Sequence, residues 1–354
     1  MIKKETLTKE WIQEVCKKNR NADPILVEKV IRALFLVEGL AKTDLSFVFK
    51  GGTALMLLMD SAKRLSIDID IILFKSPKNL DEILVGVSKE QHFNKVELQH
   101  RATESDIEKA HYKFYYTPVH NTGKAEEYIL LDILFEDNNY KNISPFKIKS
   151  QFLITSASPV EVQIPSFADL LGDKLTAFAP NTTGIPYFKK DNSMSMEIIK
   201  QLYDIGNLVD ATDDLHTIKE TFGKIVTTEI AYRKLKKTDA STVLEDVYQT
   251  SLCLTLRGAD GKGNFEELSN GIKRIVGYIF SESFHIDKAI THASKAAYIS
   301  KLIAADKKAF EKYSKPEQIA EWQIDAPFNT KLNKLKKSNP EAFFYWYKTI
   351  ELIK

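Results

Sequence analysis

Two aspartates, Asp68 and Asp70, stand one residue apart in the run FVFKGGTALMLLMDSAKRLSIDIDIILF, residues 47–74. Side chains of an extended chain alternate, so Ile67, Ile69 and Ile71 share one face and Ser66, Asp68 and Asp70 the other. Aspartate forms strands poorly, and two carboxylates on one face repel each other. Either water screens the pair on an open edge, or a positive group offsets it. A divalent cation with oxygen ligands, Mg²⁺ with Mn²⁺ as a substitute, is the natural positive group.

Gly51-Gly52-Thr53 precedes the pair and joins a short apolar strand to a helix. Unpaired N–H groups at a helix N-terminus favour an anion, and glycine lets the backbone approach a phosphate. Thr53 can cap the helix or offer its hydroxyl, and Arg64, ahead of the second strand, either contacts a phosphate or is a solvated loop cation without a role. Strand, glycine turn, short helix and D-x-D strand together set a phosphate cradle beside a cation site. A nucleoside triphosphate held for attack at phosphorus needs that pairing.

Three further residues extend the set. Asp132 is the sole charge in the apolar strand 128–135, where an unpaired buried carboxylate would be costly. It is either a structurally satisfied aspartate or a third acid beside the pair. In 166–178, Phe167, Leu170, Leu171, Leu175 and Phe178 form one helical stripe with Lys174 at its centre. Lys174 either snorkels along its stem or reaches a triphosphate. Asp204 flanks the stripe Ile198, Ile199, Leu202, Ile205 and Val209, and periodicity alone gives it no role.

The surrounding pattern predicts what carries them. Thr8 and Asp23-Pro24 start two N-terminal helices within 6–42. Strands are expected at 45–50, 66–74, 97–103, 112–118, 128–135 and 153–162, with helices at 53–60 and 79–86. Helices dominate from 166 onward, broken by a mobile loop at 180–195. The expected fold class is α/β (α+β), a mixed sheet with a large C-terminal helical region. The expected domains are 1–42 (helices packed on the core), 43–165 (the α/β core) and 166–354 (helical, carrying Lys174 and Asp204).

Composition narrows the function. With 44% hydrophobic and 28% charged residues, the chain can bury a core, and wholesale disorder is excluded. A net charge of +2 gives no global signature of a nucleic-acid binder, although basic runs occur at 232–237 and 331–337. Such runs are solvated helix faces or phosphate-tracking surfaces. The two cysteines lie far apart, which fits a reducing compartment and offers no zinc spacing. No window is apolar over the ~18 residues a membrane span needs, so a cytoplasmic location is expected.

Taken in order, F-K-G-G-T-A-L at 49–55, R-L-S-I-D-I-D at 64–70, D-K-L-T-A at 173–177 and K-Q-L-Y-D-I at 200–205 resemble the AbiEii/AbiGii-type toxin family, which includes the MenT-like toxins. The resemblance implies a DNA polymerase-β-like nucleotidyltransferase core and a place in a toxin–antitoxin or phage-defence module. It implies Ser66 on the nucleotide phosphates, Asp68 and Asp70 on Mg²⁺, Lys174 on the triphosphate and Asp204 as the last acidic residue. Asp132 is the least diagnostic of the acids. Family enzymes add nucleotides to the tRNA 3′ acceptor end, and other members bind GTP. The expectation is therefore a Mg²⁺-dependent transfer from NTP to RNA, with tRNA as the expected acceptor and a cognate antitoxin as partner; no membrane or DNA partner is expected. Asp68, Asp70 and Asp132 would hold the metal, and Gly51, Gly52, Thr53, Arg64, Ser66 and Lys174 the nucleotide. The alternatives are nucleotidylation or phosphorylation of a protein and a non-catalytic GTP-binding toxin.

Overall fold

The computed structural model of the chain describes residues 1–59, 63–99, 109–120 and 122–354. These fall into two units, one of residues 1–166 with 277–283, the other of 167–276 with 284–354. The expected C-terminal region thus cedes a short segment, 277–283, to the first unit.

The first unit opens with α1 (Lys9–Lys18) and α2 (Pro24–Ala41). The Thr8 Oγ1 accepts from the Trp11 N–H at 3.3 Å and the Asp23 carboxylate from the Ile25 N–H at 2.8 Å. Both caps satisfy a donor that the first turn leaves unpaired. Then follow β1 (Phe47–Lys50), α3 (Gly51–Leu58), β2 (Ile69–Leu73), α4 (Leu80–Glu90), β3 (Lys95–Leu98), β4 (Lys109–Tyr116) and β5 (Glu127–Phe135). They build a mixed sheet of order β1-β2-β5-β4-β3, in which only β2 and β5 run parallel. The apolar stripe of α2, including Val27, Ile31 and Leu34, is fully buried, and α2 packs on α4 and β5. A separate pair, β6 (Ile143–Lys147) and β7 (Glu161–Pro165), closes the unit.

Several expectations shift. The second strand begins at Ile69 rather than residue 66, and residues 63–65 ahead of it are tied to the returning segment 277–283. The Leu65 N–H donates to the Tyr278 carbonyl at 2.8 Å, and the Ser281 hydroxyl to the Lys63 carbonyl at 2.8 Å. The strand expected over 153–162 is absent up to residue 160, and β6 takes its place as partner of β7. Residue 100 onward of the expected 97–103 strand lies outside the described residues, as does residue 60 of the expected 53–60 helix.

The second unit contains α5 (Phe167–Ala177), β8 (Phe188–Lys189), β9 (Asn192–Ser193), α6 (Ser195–Ala211), α7 (Leu215–Tyr232), α8 (Ala240–Thr255), α9 (Phe265–Ile275), α10 (Ile286–Ala304), α11 (Asn329–Leu332), α12 (Leu335–Ser338) and α13 (Pro340–Glu351). Buried α10 packs on α6, α8 and α13. The 180–195 segment is no simple loop. It contains the β8–β9 hairpin, and the Asn181 N–H, Asn181 Nδ2 and Thr182 Oγ1 donate to the buried Asp246 carboxylate at 2.9, 2.7 and 2.8 Å. The 331–337 lysines are partly structural too, since Lys336 Nζ donates to the Trp322 carbonyl at 2.9 Å.

His292 of α10 lies against Gly206 of α6, where a Cβ would overlap the imidazole, and beside the Tyr203 ring at 5.3 Å. Burial depresses its pKa from 6.5 to about 3, so the ring is buried neutral. A depressed histidine supplies stability that is complete above its unfolded pKa and is lost as pH falls toward the folded value. We expect unfolding stability to fall between pH 6.5 and about 3, and His292→Leu to lose less over that window than wild type in urea titrations. Parallel pH profiles for the two would contradict this.

Candidate active site

Helix α3 begins on Gly51, whose φ of +80° lies in the left-handed region that glycine tolerates. A Cβ there would overlap the Asp70 carboxylate. A Cβ on Gly52 would come within 2.7 Å of both Arg64 Nη2 and Ser66 Oγ. The two glycines therefore let the start of α3 sit directly on Asp70, Ser66 and Arg64. Arg64 is buried here rather than waving in solvent, and its Nη1 donates to the Leu65 carbonyl at 3.1 Å. This sets a guanidinium beside helix-terminal N–H groups, a combination suited to an anion.

Thr53 is fully buried and uses its hydroxyl otherwise than expected: it donates to the Asp68 backbone carbonyl at 2.6 Å. It anchors the residue that carries the first carboxylate. Asp68 is exposed just before β2, Asp70 is half-buried within it, and Ile69 and Ile71 point into the core. The alternation read from the sequence thus holds at 69–71.

Register extends the site sideways. Lys50 pairs with Asp70 across β1 and β2, Asp70 with Asp132 across β2 and β5, and Asp132 with His111 across β5 and β4. Directly paired residues share a face, so cation, two carboxylates and an imidazole form one row over four strands. The His111 Nδ1 and Asp132 Oδ1 lie 2.6 Å apart. Periodicity gave no hint of His111, because its partner is set only by the β4–β5 pairing. Among the described residues no three carboxylate, imidazole or thiol groups surround one metal position, so Asp68, Asp70 and Asp132 close no cage of their own. Two carboxylates completed by substrate phosphates are the usual Mg²⁺ arrangement, and this all-oxygen donor set beside a phosphate cradle fits it.

Lys174 and Asp204 meet within the second unit. Lys174 Nζ lies 2.9 Å from Asp204 Oδ2 and donates to Gln201 Oε1 at 2.8 Å, with the two charged side chains 8% and 3% exposed. The lysine therefore does not snorkel; α5 and α6 bury it against an acid to which periodicity alone gives no role. Gln201 is a further member that the sequence did not single out.

The profile described as "Nucleotidyl transferase AbiEii toxin, Type IV TA system" matches residues 34–269. The chain belongs to the AbiEii nucleotidyl transferase toxin family. No curated protein matches it by sequence. Among solved structures, JHP933 of Helicobacter pylori is similar at 18% identity and TM-score 0.41, over 79% of this chain and 90% of that one. The MenT4 nucleotidyltransferase toxin of Mycobacterium tuberculosis is similar at 16% identity and TM-score 0.43, over 69% and 78%. For this AbiEii chain the family implies a nucleotide substrate and a cognate antitoxin. No helix among the described residues is long and apolar enough to cross a membrane.

Two measurements check this geometry. Thr53→Val should lose about 1 kcal/mol, the usual worth of such a hydrogen bond, and lower the unfolding midpoint, whereas Thr53→Ser should stay near wild type. For the buried pair, Lys174→Met and Asp204→Leu singly should each cost about 3–5 kcal/mol, and the double variant much less than their sum. Additive losses in that cycle would contradict a direct ion pair.

Proposed function

We propose that this AbiEii chain is a Mg²⁺-dependent enzyme that transfers a nucleotidyl group from an NTP to the 3′ end of an RNA, with the tRNA acceptor end as its target. The observation that carries the reading is the close fit of the Gly51-Gly52 turn over Asp70, Ser66 and Arg64. A helix start and a guanidinium beside the Asp70 carboxylate support the binding of a triphosphate with its cation.

Backbone N–H groups at the start of α3, with Arg64 and Ser66, bind the phosphates. Asp68 and Asp70 would hold the cation, which when bound neutralises phosphate charge and makes the RNA hydroxyl more acidic. The 3′-oxygen forms a bond to the α-phosphorus, the bond to the β-phosphate bridging oxygen breaks, and pyrophosphate leaves. Asp132 accepts the hydroxyl proton on Oδ2, because Oδ1 is engaged by His111. The family pattern assigns Lys174 to the triphosphate; within its own unit its ammonium is held by Asp204 and Gln201. In the cell this activity is the toxic arm of a phage-defence pair, held in check by its antitoxin.

Asp68→Ala should abolish both toxicity and transfer of α-³²P from NTP to RNA, with the unfolding midpoint unchanged. Retained transfer would overturn the assignment. In a labelled lysate an RNase-sensitive product is expected. A protease-sensitive product would point to protein nucleotidylation, label from the γ-position to phosphorylation, and toxicity that survives Asp68→Ala to a non-catalytic GTP-binding toxin.

A further inference from the structure

The face of the sheet that bears Asp70, Asp132 and His111 continues beyond them into a patch of different chemistry. Tyr115 and Tyr128 are paired across β4 and β5, four cross-strand pairs away from His111 and Asp132 and hence on the same face. Their rings lie 5.9 Å apart, and Tyr128 is 38% exposed. Lys113 lies over the Tyr128 ring at 4.3 Å, Lys29 at 5.7 Å, and Lys95 over the Tyr115 ring at 4.5 Å. Glu97, Glu126 and Glu127 border the patch and pair with Lys95, Lys29 and Lys124. Lys95 is held by Glu97 and Glu126, whereas Lys113, stacked on Tyr128, pairs with no carboxylate among the described residues.

A cross-strand tyrosine pair contributes to sheet stability wherever it occurs. That role requires neither an exposed ring nor lysines stacked on it. Exposed aromatics on a sheet, rimmed by cations, are what unpaired bases stack upon, because every base has a flat face and every linkage a phosphate. Tyr128 lies four residues along β5 from Asp132, or about 13 Å at strand rise. A base stacked there is too far to belong to a nucleotide whose α-phosphate sits at the carboxylates. It belongs to the acceptor strand.

We propose that Tyr115 and Tyr128, with Lys113, form a platform for unpaired bases upstream of the reacting 3′ end, so that the acceptor is a single-stranded RNA terminus. This rests on the proposed transfer to RNA. Bases take the ring faces, and the lysines move from the rings to the phosphates. A blunt duplex, whose bases face each other, gains only the phosphate contacts.

The test is fluorescence anisotropy with a short 5′-labelled single-stranded RNA and no NTP, which reads binding apart from chemistry. Tyr128→Leu should weaken binding at least about 5-fold, the lower end of base–aromatic stacking, while Tyr128→Phe stays close to wild type. The duplex form should bind wild type more weakly than the single strand. Lys113→Gln, which leaves both rings in place, should weaken binding and reduce the salt slope by about one; it decides the matter if Tyr128→Leu fails to fold. Unchanged binding in a folded Tyr128→Leu or in Lys113→Gln, or equal affinity for duplex and single strand, would overturn the platform while leaving transfer to RNA intact. Wild type that binds no RNA yet labels protein from α-³²P-NTP would overturn the function on which the platform rests.

Discussion

The contact between Gly51 and Asp70 is the constraint on which the first unit's chemistry depends. A carboxylate can lie against the first turn of a helix only where no Cβ intervenes, and only a glycine adopts a φ of +80° there without strain. That fit brings backbone donors, which favour an anion, next to an acid, which favours a cation. On the proposed function, a cation held by Asp70 lets a phosphate share the same helix terminus.

Much of the remaining structure holds that contact in place. The Thr53 hydroxyl fixes the backbone of Asp68 from within the core. The segment 277–283, more than two hundred residues further on, braces 63–65 through Tyr278 and Ser281. His111 lies within hydrogen-bond distance of Asp132, which faces Asp70 directly across the sheet. In the second unit the same economy appears as a buried pair: Lys174 and Asp204 are tolerable in the interior only together, with Gln201 satisfying a further ammonium proton.

The sequence disclosed what local periodicity and residue type control. Alternation put Asp70 opposite Ile69 and Ile71, and the glycine pair marked the strand–helix junction. Lys174 was conspicuous as a charge inside an apolar stripe. What stayed hidden depends on pairing between distant segments. His111 is one histidine among seven until β4 and β5 are set in register. Asp204 reads as a boundary residue until α5 packs on α6 and supplies its lysine. The 66–74 strand reads as continuous, although its pairing starts only at Ile69, after the residues 63–65 that the distant segment 277–283 braces. The apparent loop at 180–195 is tied down by Asp246, a residue no local pattern connects to it.

The most direct test of the account is calorimetric titration of Gly51→Ala with Mg²⁺ and NTP, beside a thermal unfolding scan. A methyl group at residue 51 would be forced onto the Asp70 carboxylate and into a disfavoured backbone conformation. The expected result is a folded protein that has lost Mg²⁺-dependent NTP binding and nucleotidyl transfer. A folded Gly51→Ala that binds Mg²⁺ and NTP as tightly as wild type would contradict it.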